Sequence, residues 1–85
     1  MDIHNLKTWP DIFKVMKTGE KTFDIRKNDR DFKVGDQVIL HEYDPDKKKY
    51  TGDHIHAKIT WILPTNNPFH NLYDKVILAL KYWDF

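Results

Sequence analysis

Chemistry concentrates in one stretch, Gly19-Glu20-Lys21-Thr22-Phe23-Asp24-Ile25-Arg26. A glycine suited to stopping a helix leads into a segment where ammonium, carboxylate and guanidinium recur at close spacing. In an extended strand, alternate side chains share a face. Thr22, Asp24 and Arg26 therefore point one way, and Phe23 and Ile25 the other. An acid and a guanidinium two residues apart make a preorganised polar pair, with Lys21 at the strand's start. Such a pair either holds a polar ligand or holds itself. Lys21 and Arg26 offer donors for a phosphate or a base carbonyl, and arginine can offer two at once. Asp24 suits an exocyclic amine or a ribose hydroxyl. A splayed nucleobase needs such edge contacts plus a flat surface to stack on. Trp9 and Tyr43 are the candidate platforms and His4 is a third, although Trp9 also begins an apolar helical stripe.

The loop after this strand, Asn28-Asp29-Arg30-Asp31, carries ordinary turn chemistry at its aspartates. Asn28 and Arg30 are the members placed to touch a ligand from the rim. Lys47, Lys48 and Lys49 suit phosphates, but three lysines flanked by acids at a hairpin tip equally make a solvated end. His54 and His56 share a strand face. A zinc site needs at least three protein ligands, and spacing offers no third partner, although His41 and His70 are free to converge in space. No metal or cofactor is expected.

These groups must be positioned by a small scaffold. Trp9, Ile12, Phe13 and Met16 follow helical spacing, so a helix is expected over about 9–18, with Thr8 as N-cap, Pro10 in the first turn and Gly19 as the stop. Strands are expected over 4–7, 21–27, 37–43, 54–63 and 76–83. In the fourth, Ile55, Ala57, Ile59, Trp61 and Leu63 share one face. A long hairpin loop separates the third and fourth strands, and 64–73, with its Asn66-Asn67-Pro68, reads as an irregular connection. The last strand is apolar on both faces and belongs inside a sheet. One helix leading into about five strands is α+β, a small bent barrel with the helix packed against it. Its expected core is Trp9, Phe13, Phe23, Ile25, Leu40, Ile59, Trp61 and Leu78.

Eighty-five residues make one domain over 1–85, whose core depends on three Trp, four Tyr and five Phe. There is no cysteine, so neither a disulfide nor a thiolate metal site exists. No apolar run is long enough to cross a bilayer and no signal-peptide pattern opens the chain. A cytoplasmic monomer without a membrane partner is the expectation. The formal charge is +1. Long-range attraction to nucleic acid is therefore small, and any such binding must use a local patch.

Gly19-x-Lys21-x-x-Asp24-x-Arg26 resembles the Gly-x-Lys-x-x-Glu-x-Arg signature of the ASCH superfamily, whose domains adopt a PUA-like β-barrel. A wider pattern resembles one branch of it, small functionally unassigned bacterial and phage domains. That pattern comprises His4-x-Leu6-Lys7, Pro10-x-x-Phe13, the run from Ile25 to Asp36, Glu42-Tyr43-Asp44 and Tyr50-Thr51-Gly52. The resemblance implies a cleft between helix and barrel lined by Lys21, Asp24 and Arg26, with His4 and Lys7 joining the ligand-binding set. It implies RNA, a nucleotide or a modified nucleoside as ligand.

One small bacterial ASCH member hydrolyses the acetyl group of acetylcytidine with a Lys, a Thr and a Glu. Aligned on the signature, its Lys matches Lys21 but its Thr falls at Asp24. A carboxylate does not replace an alkoxide, which weighs against that chemistry here. The leading expectation is a non-catalytic binding module. The alternatives are an amidohydrolase or ribonuclease using Lys21 and Asp24 as acid–base groups, and a phage-type interaction or inhibitor protein whose Trp- and Tyr-rich tail meets a protein partner.

Overall fold

Phe13 and Met16 form the buried face of α1 (Pro10–Lys17) in the computed structural model, which describes residues 1–63 and 74–83. Pro10 sits at the helix start, where its missing N–H costs nothing. Thr8 does not cap the helix. Trp9 occupies that position in an extended conformation, and no side chain caps the helix. Gly19 ends the helix at φ 82°, a left-handed conformation that glycine adopts without strain. The N–H of Lys21 then reaches back to the Val15 carbonyl at 3.0 Å, so the chain passes from the helix straight into the polar stretch.

The strands are β1 (Ile3–Thr8), β2 (Phe23–Lys27), β3 (Gln37–Asp44), β4 (Lys49–Leu63) and β5 (Lys75–Tyr82). They form one sheet in the order β1-β3-β4-β5-β2. β1 runs parallel to β3 and every other neighbouring pair is antiparallel. The sheet curls into a half-barrel beside α1. β5 lies between β4 and β2, the interior place its apolar sequence requires. Val38, Leu40, Ile59 and Leu78 are fully buried and, with Met16, fill the centre of the core. Among the described residues no helix is long and apolar enough to cross a membrane.

Half of the expected core lies elsewhere. Phe13, Leu40, Ile59 and Leu78 are buried, whereas Trp9, Phe23, Ile25 and Trp61 are each about half exposed. On β2 the reason is that Asp24, opposite Leu78, turns inward, which sends Phe23 and Ile25 out. On β4 the reason is a bulge. Ile59 pairs with Leu80 but Trp61 with Ala79, so Thr60 is the extra residue and the facing inverts beyond it. Ile62 then packs on the core in place of Trp61. The hairpin loop is also shorter than expected. Asp44 pairs with Lys49, leaving 45–48 as the turn. Its Oδ1 accepts the N–H groups of Asp46 and Lys47 at 2.9 and 3.2 Å, and Lys48 takes φ 53°. The connection over 64–73, with His70, lies outside the described residues.

Candidate functional site

β1 and β2 end the strand order and have no backbone ladder between them. Unpaired edges expose N–H and C=O groups that need partners. Arg26 bridges these two. Its Nη1 donates to the Lys7 carbonyl at 2.7 Å and its Nη2 to the Thr8 Oγ1 at 3.0 Å, both on β1. Its Nε donates to the Asp24 Oδ2 at 2.6 Å. Farther along, Arg30 Nη1 donates to the Asn5 carbonyl at 2.8 Å. Arg26 thus lashes the sheet's two edges together by side chain, Arg30 ties the loop after β2 to β1, and Thr8, expected to cap the helix, is one of the points Arg26 holds.

Asp24 is only 5% exposed. A carboxylate so placed is costly unless paired. Arg26 supplies one partner, and Lys21 Nζ lies 3.8 Å from Oδ1. The backbone of Lys21 is held on both sides, its N–H by Val15 and its carbonyl by Tyr82 Oη, which donates to it at 2.6 Å. Burial, and secondarily the Asp24 charge, push the Tyr82 phenol up to about 12, so it stays a protonated donor. The lysine therefore projects from a fixed base.

Above this cluster opens a cleft of about 440 Å³ between the sheet's edges and the start of α1. Lys7, Lys21, Asp24 and Arg26 line it together with Trp9, Ile12 and Phe23. Trp9 forms a wall, half exposed, with its ring 5.7 Å from that of Tyr43. Lys7 Nζ stands 4.2 Å from the Tyr43 ring centroid, a cation–π contact that holds the ammonium near the rim. The arrangement offers ammonium and guanidinium donors beside a flat indole, over a buried carboxylate that holds the donors in place.

The other expected site residues fall around this cleft or away from it. Tyr43 stands one ring behind Trp9, outside the lining. Arg30 lines a smaller hollow of about 160 Å³ that shares Arg26 with the main cleft. Asn28 is exposed and gives its N–H to the Asp74 carbonyl at 2.6 Å, a loop contact. His4 is not a stacking platform. It is buried, packed on the Phe32 ring, with Nε2 2.8 Å from the Asp36 Oδ2. That contact, aided by the N–H groups of Asp2 and Lys33, holds the Asp36 carboxyl below its usual range against the opposing effect of burial. Strand alternation from the buried Leu6 was the available signal for the inward facing of both His4 and Thr8.

Asp2, His4 and Asp36 are the one group among the described residues with three potential metal-ligating atoms within 4.8 Å of one another. His4 Nε2 and the Asp36 carboxylate bond each other, and that carboxylate also accepts the backbone N–H groups of Asp2 and Lys33, which explains the His4–Asp36 pair as a structural knot at the β1–β3 start. His54 and His56 stack edge to face, 5.8 Å apart, and with His41 form no such group.

Residues 3–80 match the family model described as Domain of unknown function (DUF3850). The chain belongs to that family. A 12.9 kDa protein of Escherichia phage P2, described as uncharacterized and from the GpA 3' region, is similar to it, with 36% identity over 58 residues. That alignment covers 68% of this chain and 51% of the phage protein, so the chain spans about half the length of the curated relative it matches. The DUF3850 match runs from β1 into β5, and so takes in both lashed edges and the whole Lys21–Asp24–Arg26 cluster.

Proposed function

We propose that this DUF3850 domain binds a nucleotide or modified nucleoside, free or within RNA, in the cleft between β1, β2 and the start of α1. The carrying observation is the fixed Lys21–Asp24–Arg26 cluster beneath a half-exposed Trp9. About 440 Å³ falls in the range of small-molecule sites. Trp9 supplies the face on which a base stacks. Lys7 and Lys21 meet phosphate oxygens, and Arg26 has two of its five N–H donors left after its three bonds. Asp24 acts by holding both cations. Its carboxylate is engaged by a guanidinium at 2.6 Å, which suits holding charge more than passing a proton and favours binding over acid–base catalysis. The ASCH resemblance, with its PUA-like barrel, points to the same ligand class, and a cysteine-free chain suits action in a reducing cytoplasm.

Calorimetric titration of a panel of nucleosides, nucleotides and short RNAs tests this reading. Lys21→Ala should weaken the best ligand by about 1.5–3 kcal/mol, the worth of a contact to a charged group. Joint replacement of Lys47, Lys48 and Lys49 by Ala should leave it nearly unchanged, since exposed lysines outside the cleft lining are screened by salt and contribute little. Absence of binding across the panel, or loss through the lysine tip alone, overturns the proposal.

A further inference from the structure

We infer that the outer face of the sheet is a track for single-stranded nucleic acid, running from the cleft across β3 and β4. The inference goes beyond the cleft reading and, apart from Trp9 and Lys7 where the two meet, rests on different side chains.

Ring follows ring across this face. Behind Trp9 stands Tyr43, whose centroid lies 5.0 Å from that of Tyr50. Tyr50 is 6.1 Å from His41, and His41 is 6.1 Å from His54. His54 is 5.8 Å from His56, which meets Trp83 at 6.0 Å. Tyr50 is 55% and Trp83 48% exposed, so the rings are open to a partner. Strand register explains the row. Tyr43 pairs with Tyr50 and His41 with His54, all on positions facing away from the buried Leu40, Ile55 and Ala57.

Charge selects the occupant. Lys7 lies at the cleft end of the row, over Tyr43. At the other end Lys58 and Lys81 are cross-strand partners on adjacent strands, both exposed and outward beside the inward Ala57, Ile59 and Leu80. Like charges placed opposite one another destabilise a sheet, and no acid among the described residues pairs with either. The outward strand positions of β1, β3 and β5 and those from His54 to Lys58 on β4 carry no carboxylate at all. A nearly neutral protein has thus kept one face cationic and ring-lined. A ligand with repeated flat faces and repeated negative charge matches both features, and single-stranded nucleic acid has both.

The test is fluorescence anisotropy with labelled oligouridylate and oligodeoxyuridylate of about eight nucleotides, alongside the mononucleotide. Affinity should rise with length. Tyr50→Ala and His54→Ala should each weaken the oligomer about 5- to 150-fold, the effect of losing one stacking ring, and leave mononucleotide binding as it was. Tyr50→Phe, which keeps the ring, should retain oligomer affinity. Joint replacement of Lys58 and Lys81 by Gln should reduce the slope of log K against log salt by about 1.4, the value for two phosphate contacts to a single strand. A preference between the two oligomers assigns the track to RNA or DNA. Equal affinity for monomer and oligomer, no oligomer binding, or ring variants that bind as wild type overturns the inference. If the mononucleotide fails while the oligomer binds through the rings, the cleft reading falls and the track stands.

Discussion

Replacing Asp24 by Asn keeps the side chain's shape and removes its charge, which isolates the role of the buried carboxylate. In the native protein this group is 5% exposed, accepts a 2.6 Å bond from Arg26 and lies 3.8 Å from Lys21. Breaking a fully buried ion pair by removing one partner costs about 3–5 kcal/mol. A hydrogen bond to a charged group is worth about 1.5–3 kcal/mol. The two cationic side chains keep 20% and 21% of their surface in solvent, so water recovers part of the loss and about 2–3 kcal/mol is the expected cost. For a domain of this size that lowers Tm by about 8–24 °C. The loss should also be local. Arg26 without its anchor holds Lys7 and Thr8 less firmly, so amide exchange should accelerate along β1 and β2 before the β3–β4–β5 centre. Urea and thermal melts give the first quantity, and hydrogen exchange resolved by segment gives the second. A variant that melts with wild-type protein and exchanges like it would refute the claim that this cluster joins the sheet's edges.

Core substitutions should separate the two faces: Leu78→Ala and Met16→Ala should each cost about 2–5 kcal/mol by urea melts, whereas Phe23→Ala and Trp61→Ala, both on exposed positions, should cost about 1 kcal/mol or less. The Asp36 carboxyl is lowered mainly by its contact with His4. Its contribution is therefore present above the ordinary carboxylate range and lost as pH falls through the lowered folded value, so Asp36→Asn should flatten the acid limb of stability against pH. Tyr82 is raised to about 12, so its contribution holds below the ordinary tyrosine range and is lost as pH climbs through that value. In a phenolate absorbance titration, the component missing from Tyr82→Phe should be a late one.

The helix was legible because its signals are local. Apolar spacing, Pro10 and Gly19 place α1 within a residue of its ends. The five strands were legible from alternation and from turn residues, and the interior place of β5 from its apolar faces. The facing of β2 was not. Alternation shows that Asp24 and Arg26 share a side, yet which side faces inward depends on an arginine finding acceptors on β1, some 18 residues earlier in the chain. A rule that buries the apolar set fails where a long-range ion cluster compensates the polar one. The bulge at Thr60 is likewise a pairing event between β4 and β5, invisible in β4 alone, and it moved Trp61 out and Ile62 in. The Lys21–Asp24–Arg26 grouping followed from spacing, while Lys7 joined it through the family pattern. The role of Trp9 as a cleft wall, and the burial of His4 against Asp36, needed the curl of the sheet.

The most direct test of the cleft as a binding site is an amide NMR titration of the folded protein with a mononucleotide. The largest shifts should fall on Lys7, Thr8 and Trp9 and on the backbone from Lys21 to Arg26, with little change at Lys47, Lys48 and Lys49. Shifts confined to the lysine tip, or none at saturating nucleotide, would contradict the assignment of the cleft as the site.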